Sequence, residues 1–153
     1  MKIIISILLI LSLFACSDSD QVSVKLSKCT DGDTAHFIID GKDTKVRFLA
    51  IDTPESVKEN NIVEPFGKEA SEYTCKALSD ANKITIEYDK DKEDHYGRTL
   101  AWVFVDGSLL QEELVRNGLA DIKYMEDYFK YKDVLEKAQQ EAIDNKVGIW
   151  SYK

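Results

Sequence analysis

The stretch that decides the fold is "TKVRFLAIDTPE", Thr44 to Glu55. Val46, Phe48 and Ala50 alternate with Arg47, Leu49 and Ile51, so one continuous strand over Thr44–Ile51 is predicted with both faces largely apolar. It stops at Asp52-Thr53-Pro54-Glu55, where Pro54 turns the chain out of the strand. An arginine sits inside this apolar run, and two carboxylates lie just past its end. Taken alone, Arg47 reads as a residue at a strand edge and the Thr-Pro pair as a stop.

Working outward, "VSVKLSKC" alternates Val22, Val24 and Leu26 on one face and predicts a first strand. "DGDT", Asp31–Thr34, is a turn signal, and "AHFIID" predicts a second strand closed by Asp40-Gly41. Together with Thr44–Ile51 these form an antiparallel meander. The polar segment Ser56–Glu64 reads as a loop. A helix is predicted over Pro65–Leu78, with Phe66, Ala70, Tyr73 and Ala77 on one stripe. "KITIEY", Lys83–Tyr88, and "TLAWVFV", Thr99–Val105, predict two more strands around the charged loop "DKDKEDHYGR". A second helix runs over "LLQEELVRNG" with Gly118 as its stop. Tyr128, Tyr131, Leu135, Ala138 and Ala142 give a third amphipathic helix, and "GIW" folds back to bury Trp150. Five strands in two blocks, with a helix between the third and fourth, outline an OB-type barrel. A generic α+β domain would produce much the same pattern.

The chain has 153 residues, 44% hydrophobic and 31% charged, enough for one domain with a core. "MKIIISILLILSLFAC" has Lys2 followed by an unbroken apolar run, the pattern of an export signal over residues 1–15. "LFAC" resembles a bacterial lipobox, although Phe14 stands where a small or β-branched residue is usual. Lipidation at Cys16 followed by a polar tether over residues 16–21 is expected, with the domain over 22–153. Ordinary secretion after cleavage near Ala15 is the alternative. Losing Lys2 with the leader takes the formal net charge from −8 to −9. Such a charge argues against tight, non-specific duplex binding, which needs a broad basic surface. With no Cys-x-x-Cys and only His36 and His95, a zinc ribbon or His-rich metal site is disfavoured. Cys29 and Cys75 remain as a candidate disulfide. An oxidising compartment favours the bond. The helical wheel opposes it, because Cys75 lies about 180° from the Phe66/Ala70/Tyr73 stripe at ~100° per residue.

Each polar motif has a bland reading: "DGDT" as a hairpin turn, "DHYGR" as a Gly turn. The set is more informative. Asp33 and Asp52 are hard oxygen ligands suited to Ca²⁺. Arg47 and Arg98 each offer a two-point clamp for phosphate. Glu55, three residues beyond Asp52, is a further carboxylate within reach of the same place. A cation, two guanidiniums and a free carboxylate are the parts needed to hydrolyse a phosphodiester.

"DGDT", "VRFLAIDTPE", "FGKEAS", "DHYGR", "LVRNGLA" and the terminal "IW" occur in the order and at the spacings of the staphylococcal nuclease (thermonuclease) family, which the chain resembles from about Val24 to Trp150. The resemblance implies an OB-fold five-stranded barrel with three α-helices. It also implies Ca²⁺-dependent endonucleolytic cleavage of DNA and RNA, single strands preferred, leaving 3′-phosphate ends. By the same resemblance, Asp33 and Asp52 would offer carboxylates to Ca²⁺ and Thr53 its carbonyl. Arg47 and Arg98 would hold the scissile phosphate, Glu55 would act on water, and Tyr96 and Tyr124 would receive the nucleotide. Three departures stand out. His95 replaces a common lysine, the loop Ser56–Glu64 carries Glu59 and Glu64 against Lys58, and Glu126 and Asp127 follow Tyr124. The expected protein is a monomer, either anchored by lipid at a bacterial envelope or secreted. The competing function is a non-catalytic OB module that holds an oligonucleotide or another extended ligand.

Overall fold

The computed structural model describes residues 20–56, 63–126 and 129–152. The leader and Cys16 lie outside them, as do Lys58, Glu59, Asp127 and Tyr128.

Five strands close a barrel. β1 (Gln21–Asp31) pairs antiparallel with β2 (Thr34–Ile39), and β2 with β3 (Lys42–Phe48) across the Asp40-Gly41 turn. Both turn residues have positive φ, 49° and 77°, which suits the right-handed twist of a two-residue hairpin. β1 is long enough to serve two neighbours. Its first four residues pair with β5 (Ile84–Glu87), and Lys25 onward pairs with β2. Two register shifts, between Leu26 and Lys28 and between Cys29 and Asp31, bend it between these partners. β5 pairs with β6 (Thr99–Val105), and β6 runs parallel to β3 through Val46, Arg47 and Phe48, which closes the ring. This is the α+β barrel with three helices that the sequence predicts.

Phe37, Val46, Phe48, Ile86 and Trp102 fill the barrel, each no more than 1% exposed. α1 (Gly67–Asp80) packs on β1, while α2 (Leu110–Arg116) packs on β6 and on α3 (Lys132–Asp144). Gln111, fully buried on α2, accepts from Val103 N and donates to Ala101 O, which fixes that helix against β6. β7 (Ser108–Leu109) extends the sheet beside β6.

Four sequence expectations change. The strand predicted over Thr44–Ile51 breaks at Leu49-Ala50, where Ala50 has φ 63°. A short β4 (Ile51–Asp52) leaves the barrel and pairs with β8 (Asp121–Ile122). The third helix begins at Lys132, later than its aromatic stripe suggests, because Tyr131 turns its hydroxyl to the buried Glu87 at 2.9 Å. In the closing turn, Gly148–Ser151, Ile149 is the buried residue and Trp150 only half-buried.

The fourth change concerns the cysteines: Cys29 and Cys75 are bonded, with Cα atoms 5.5 Å apart. The residues α1 buries are Gly67, Ala70, Thr74 and Leu78 rather than the aromatic stripe. At ~100° per residue, that turns the inner face about 70° toward Cys75. Cys75 therefore sits on the flank that meets β1. The bond closes a separation of 46 residues, for which chain entropy alone gives about 4 kcal/mol. Cys75→Ser is expected to lower unfolding free energy in urea by a large part of that amount. Two alkylatable thiols in the non-reduced wild type would contradict the bond.

Candidate active site

The site forms where three segments meet: the β1–β2 turn, the end of β3, and β4 with the residues after it. Arg47 is at their centre. Its Nη1 donates to Phe48 O at 2.9 Å, and its Nη2 to Asp52 Oδ1 at 3.0 Å. The same Nη2 lies 3.2 Å from Asp33 Oδ2. Asp33 is itself held from two sides, by Thr34 Oγ1 on Oδ1 at 2.9 Å and by Thr53 N on Oδ2 at 3.0 Å. Thr53 thus enters through its amide.

Two glycines permit this convergence. A Cβ on Gly32 would stand 2.7 Å from Thr53 Oγ1, and one on Gly67 would stand 2.3 Å from Glu55 O. Any side chain at Gly32 would push the acidic turn away from Thr53. Any side chain at Gly67 would push α1 off the peptide that carries Glu55. Thr74 of α1 completes the support by donating to Gly32 O at 2.6 Å. At the base of the loop, Glu64 N donates to Glu55 O and Glu55 N to the Glu64 carboxylate.

Arg98 arrives from the other half of the chain. Asp94 accepts from Arg98 Nε at 2.6 Å, and from the amides of Tyr96 and Arg98 at 2.9 Å each. Burial alone would raise the Asp94 carboxyl. The bonds from Arg98 and Tyr96 outweigh it and hold the group below the usual aspartate range. Arg98 also lies over the Tyr96 ring, 5.5 Å from its centre.

A cavity of about 710 Å³ collects these groups. Asp33, Asp52, Glu55, Arg47, Arg98, Tyr96 and Tyr124 all line it, so every chemistry-bearing residue picked from sequence except Thr53 faces one space. Tyr96 and Tyr124 are 74% and 80% exposed at its mouth. Asp31, Lys45 and Asp94 also line it and carry charge, and sequence reasoning gives them no role. Asp31 shares the "DGD" turn with Asp33. Lys45 lies two residues before Arg47, hence on the same strand face. Asp94 is detectable only as the Asp three residues before the turn glycine of "DHYGR".

The electrostatics are lopsided. Burial, reinforced by Asp33 and only partly offset by Arg47, raises the Asp52 carboxyl. Glu55 is raised by burial and then by Asp31, Asp33, Asp52 and Glu64. One bridging guanidinium does not balance this charge. The donor set is hard oxygen, and Asp33 and Asp52 already converge on one cationic nitrogen, so the residues present fit a Ca²⁺-type ion. Among the described residues no group of three or more His, Cys, Asp or Glu side chains forms a cage. An ion here would keep positions open to water or phosphate.

Residues 45–152 match the family described as staphylococcal nuclease homologue. The thermonuclease of Staphylococcus hyicus is 41% identical over 135 residues, covering 88% of this chain and 79% of that protein. Endonuclease YncB of Bacillus subtilis (strain 168) is 45% identical over 132 residues, 85% of this chain and 62% of its own. The SPbeta prophage-derived endonuclease YokF of the same organism is 45% identical over 134 residues, 86% of this chain and 45% of its own. The chain therefore spans less than two thirds of each Bacillus relative.

The raised Glu55 carboxyl has a consequence for stability. The unfolded chain ionises Glu55 more readily than the folded one does. Folding is therefore penalised as pH rises from the ordinary glutamate range through the raised folded value, and the penalty is complete above it. Glu55→Gln, measured in chelator, is expected to raise the thermal midpoint at neutral pH, with the gain vanishing in acid. A lowered midpoint at neutral pH would contradict this electrostatic account.

Proposed function

The chain belongs to the staphylococcal nuclease family, and on that premise we propose that it is a Ca²⁺-dependent endonuclease that cuts DNA and RNA. Single strands are preferred and the products end in 3′-phosphate. Membership in the family, with relatives named thermonuclease and endonuclease, makes the chain a nuclease, a hydrolase of phosphodiester bonds. What supports the metal-assisted reaction is the cavity itself, which gathers Arg47, Arg98, Glu55, Asp33 and Asp52 from separated segments.

In the proposed reaction water attacks phosphorus, the new P–O bond forms and the bond to the 5′-oxygen breaks. Arg47 and Arg98 hold the non-bridging phosphate oxygens, whose charge grows as phosphorus becomes pentacoordinate. Arg47 is pre-aligned by Phe48 O and Asp52, and Arg98 by Asp94. Glu55 accepts the proton of the attacking water, and its raised affinity for protons brings it closer to working pH. The 5′-oxygen leaves and is protonated from solvent. Asp33 and Asp52, with the Thr53 carbonyl, would hold Ca²⁺, which supplies positive charge for the phosphate when bound. Tyr96 and Tyr124 offer exposed rings for base stacking, which tolerates any base.

Export with a lipid on Cys16, and function as a monomer at the envelope or outside the cell, remain part of the proposal. β1 begins at Gln21, which leaves the polar residues after Cys16 to serve as a tether.

Denatured DNA with and without chelator is the primary test. Cleavage only in free Ca²⁺ supports the enzyme, whereas binding without cleavage supports the OB-module alternative. Arg47→Lys is expected to lose about 10²–10³ in rate, since lysine lacks the two-point grip. Glu55→Gln should still bind substrate while cutting slowly. Asp33→Ala should lose Ca²⁺ affinity and recover part of its rate at high Ca²⁺. Wild-type rates for Arg47→Lys and Glu55→Gln in saturating Ca²⁺ would place the chemistry elsewhere.

A further inference from the structure

The register of β1, β2 and β3 sets out rows of side chains across the outer face of the barrel. Opposed residues on neighbouring strands share a face. Asp31, Thr34 and Arg47 form the row that opens on the cavity. The next row is Lys28, His36 and Lys45, and the one beyond is Lys25, Ile38 and Asp43. On β1 the three residues are spaced three apart, not two. Simple alternation would scatter Lys25, Lys28 and Asp31 over both faces. The two register shifts, which take up Ser27 and Thr30, bring all three into line.

Lys28 and Lys45 are exposed, and neither forms an ion pair among the described residues. Asp43 in the third row is held by Ser27 Oγ on one oxygen and by His36 Nδ1 of the second row on the other, at 2.5 Å each, and the charge of Lys28 also acts on it. Rows lie ~6.7 Å apart and strands ~4.8 Å apart, so Lys28 is roughly 10 Å across the sheet from Lys45. Lys45 lines the cavity and links the row to it. Elsewhere the cavity mouth carries Asp91 and Glu126. Screening acts over ~8–10 Å. A strand of phosphates leaving the cavity therefore responds to the nearest charges and not to the net charge of −8. Across the three rows on the Lys45 side, Lys25, Lys28, Lys45 and Arg47 outnumber Asp31 and Asp43, so the local balance there attracts it.

We propose that Lys28, His36 and Lys45 form a phosphate-binding subsite that carries the substrate strand out of the cavity and across the outer face of β1–β3. The subsite rests on the nuclease reading and adds to it a second anchoring region for long single strands. The negative protein thus holds a polyanion on one narrow basic track.

Two measurements test the track, each on variants checked for native circular dichroism. The first compares kcat/KM of Lys28→Glu on long denatured DNA and on a thymidine dinucleotide, which is too short to reach from Arg47 to Lys28. A fall of about tenfold confined to the long strand is expected, from loss of one phosphate contact and gain of one repulsion. An equal fall on both substrates, or no fall on either, overturns the subsite. The second measures binding of a long fluorescent single strand to Glu55→Gln alone and to Glu55→Gln with Lys28→Gln and Lys45→Gln, across salt concentrations in Ca²⁺. The log–log salt slope is expected to become shallower by about 1.4, roughly 0.7 for each lost phosphate contact. An unchanged slope overturns the subsite whether or not the wild type cleaves. Absence of wild-type cleavage with the slope change present would instead refute only the nuclease reading.

Discussion

The contact on which the rest of the site depends is the Arg47 guanidinium set between Asp33 and Asp52. Arg47 and Asp33 are each only 11% exposed, so their charges have given up most of their water. Such a pair adds little net stability compared with an apolar substitute, yet removing one partner costs about 3–5 kcal/mol because the other is left buried and unpaired. Here the loss would be compounded, since without Arg47 two carboxylates would face each other across its place. The glycine contacts at Gly32 and Gly67, the Thr74 bond and the kink at Ala50 bring the acidic β1–β2 turn and β4 near enough for one cation to join them. The group that secures the acidic turn is thus also the group to which the proposed reaction assigns the phosphate.

Much of this was legible because most of the site lies in one stretch of sequence. Arg47, Asp52 and Glu55 are separated by a few residues, and the "DGD" turn announces Asp33. Strand periodicity was equally direct, and β6 runs over Thr99–Val105 as predicted. The misreadings share a cause, in that backbone irregularity leaves little trace in residue type. Nothing about alanine signals a positive φ at position 50, so the strand was extended through it. The bulges of β1 break a period of two without a glycine or proline to mark them, which hid the common face of Lys25, Lys28 and Asp31. On α1 the large aromatics suggested the inner face, but it is Thr74, a small polar residue with a carbonyl to reach, that packs inward. The sequence could not weigh that bond, and so the side on which Cys75 lies was misjudged.

The acidic character of the chain fits its site once charge is considered locally. Carboxylates raise one another at Asp52 and Glu55. The site is therefore a place where the fold tolerates repulsion, and functional sites commonly hold such strain. On the outer face of β1–β3, Lys25, Lys28, Lys45 and Arg47 outnumber Asp31 and Asp43, so that face is locally basic although the whole chain is acidic. Net charge would have dismissed a nucleic-acid partner that the arrangement accommodates.

The parallel pairing of β3 with β6 joins residues 46–48 to residues 99–101, so the ring cannot close until the second half of the chain exists. Arg98 and Tyr124 reach the cavity from that second half as well. A nascent chain that has passed Glu55 already carries Asp33, Arg47 and Glu55 itself, but β3 still has an open edge and Arg98 is missing from the cavity. Contacts this distant in sequence form late. Chain order thereby acts as a timing device: the cavity acquires its full set of charged and aromatic groups only after the second half of the chain has been made.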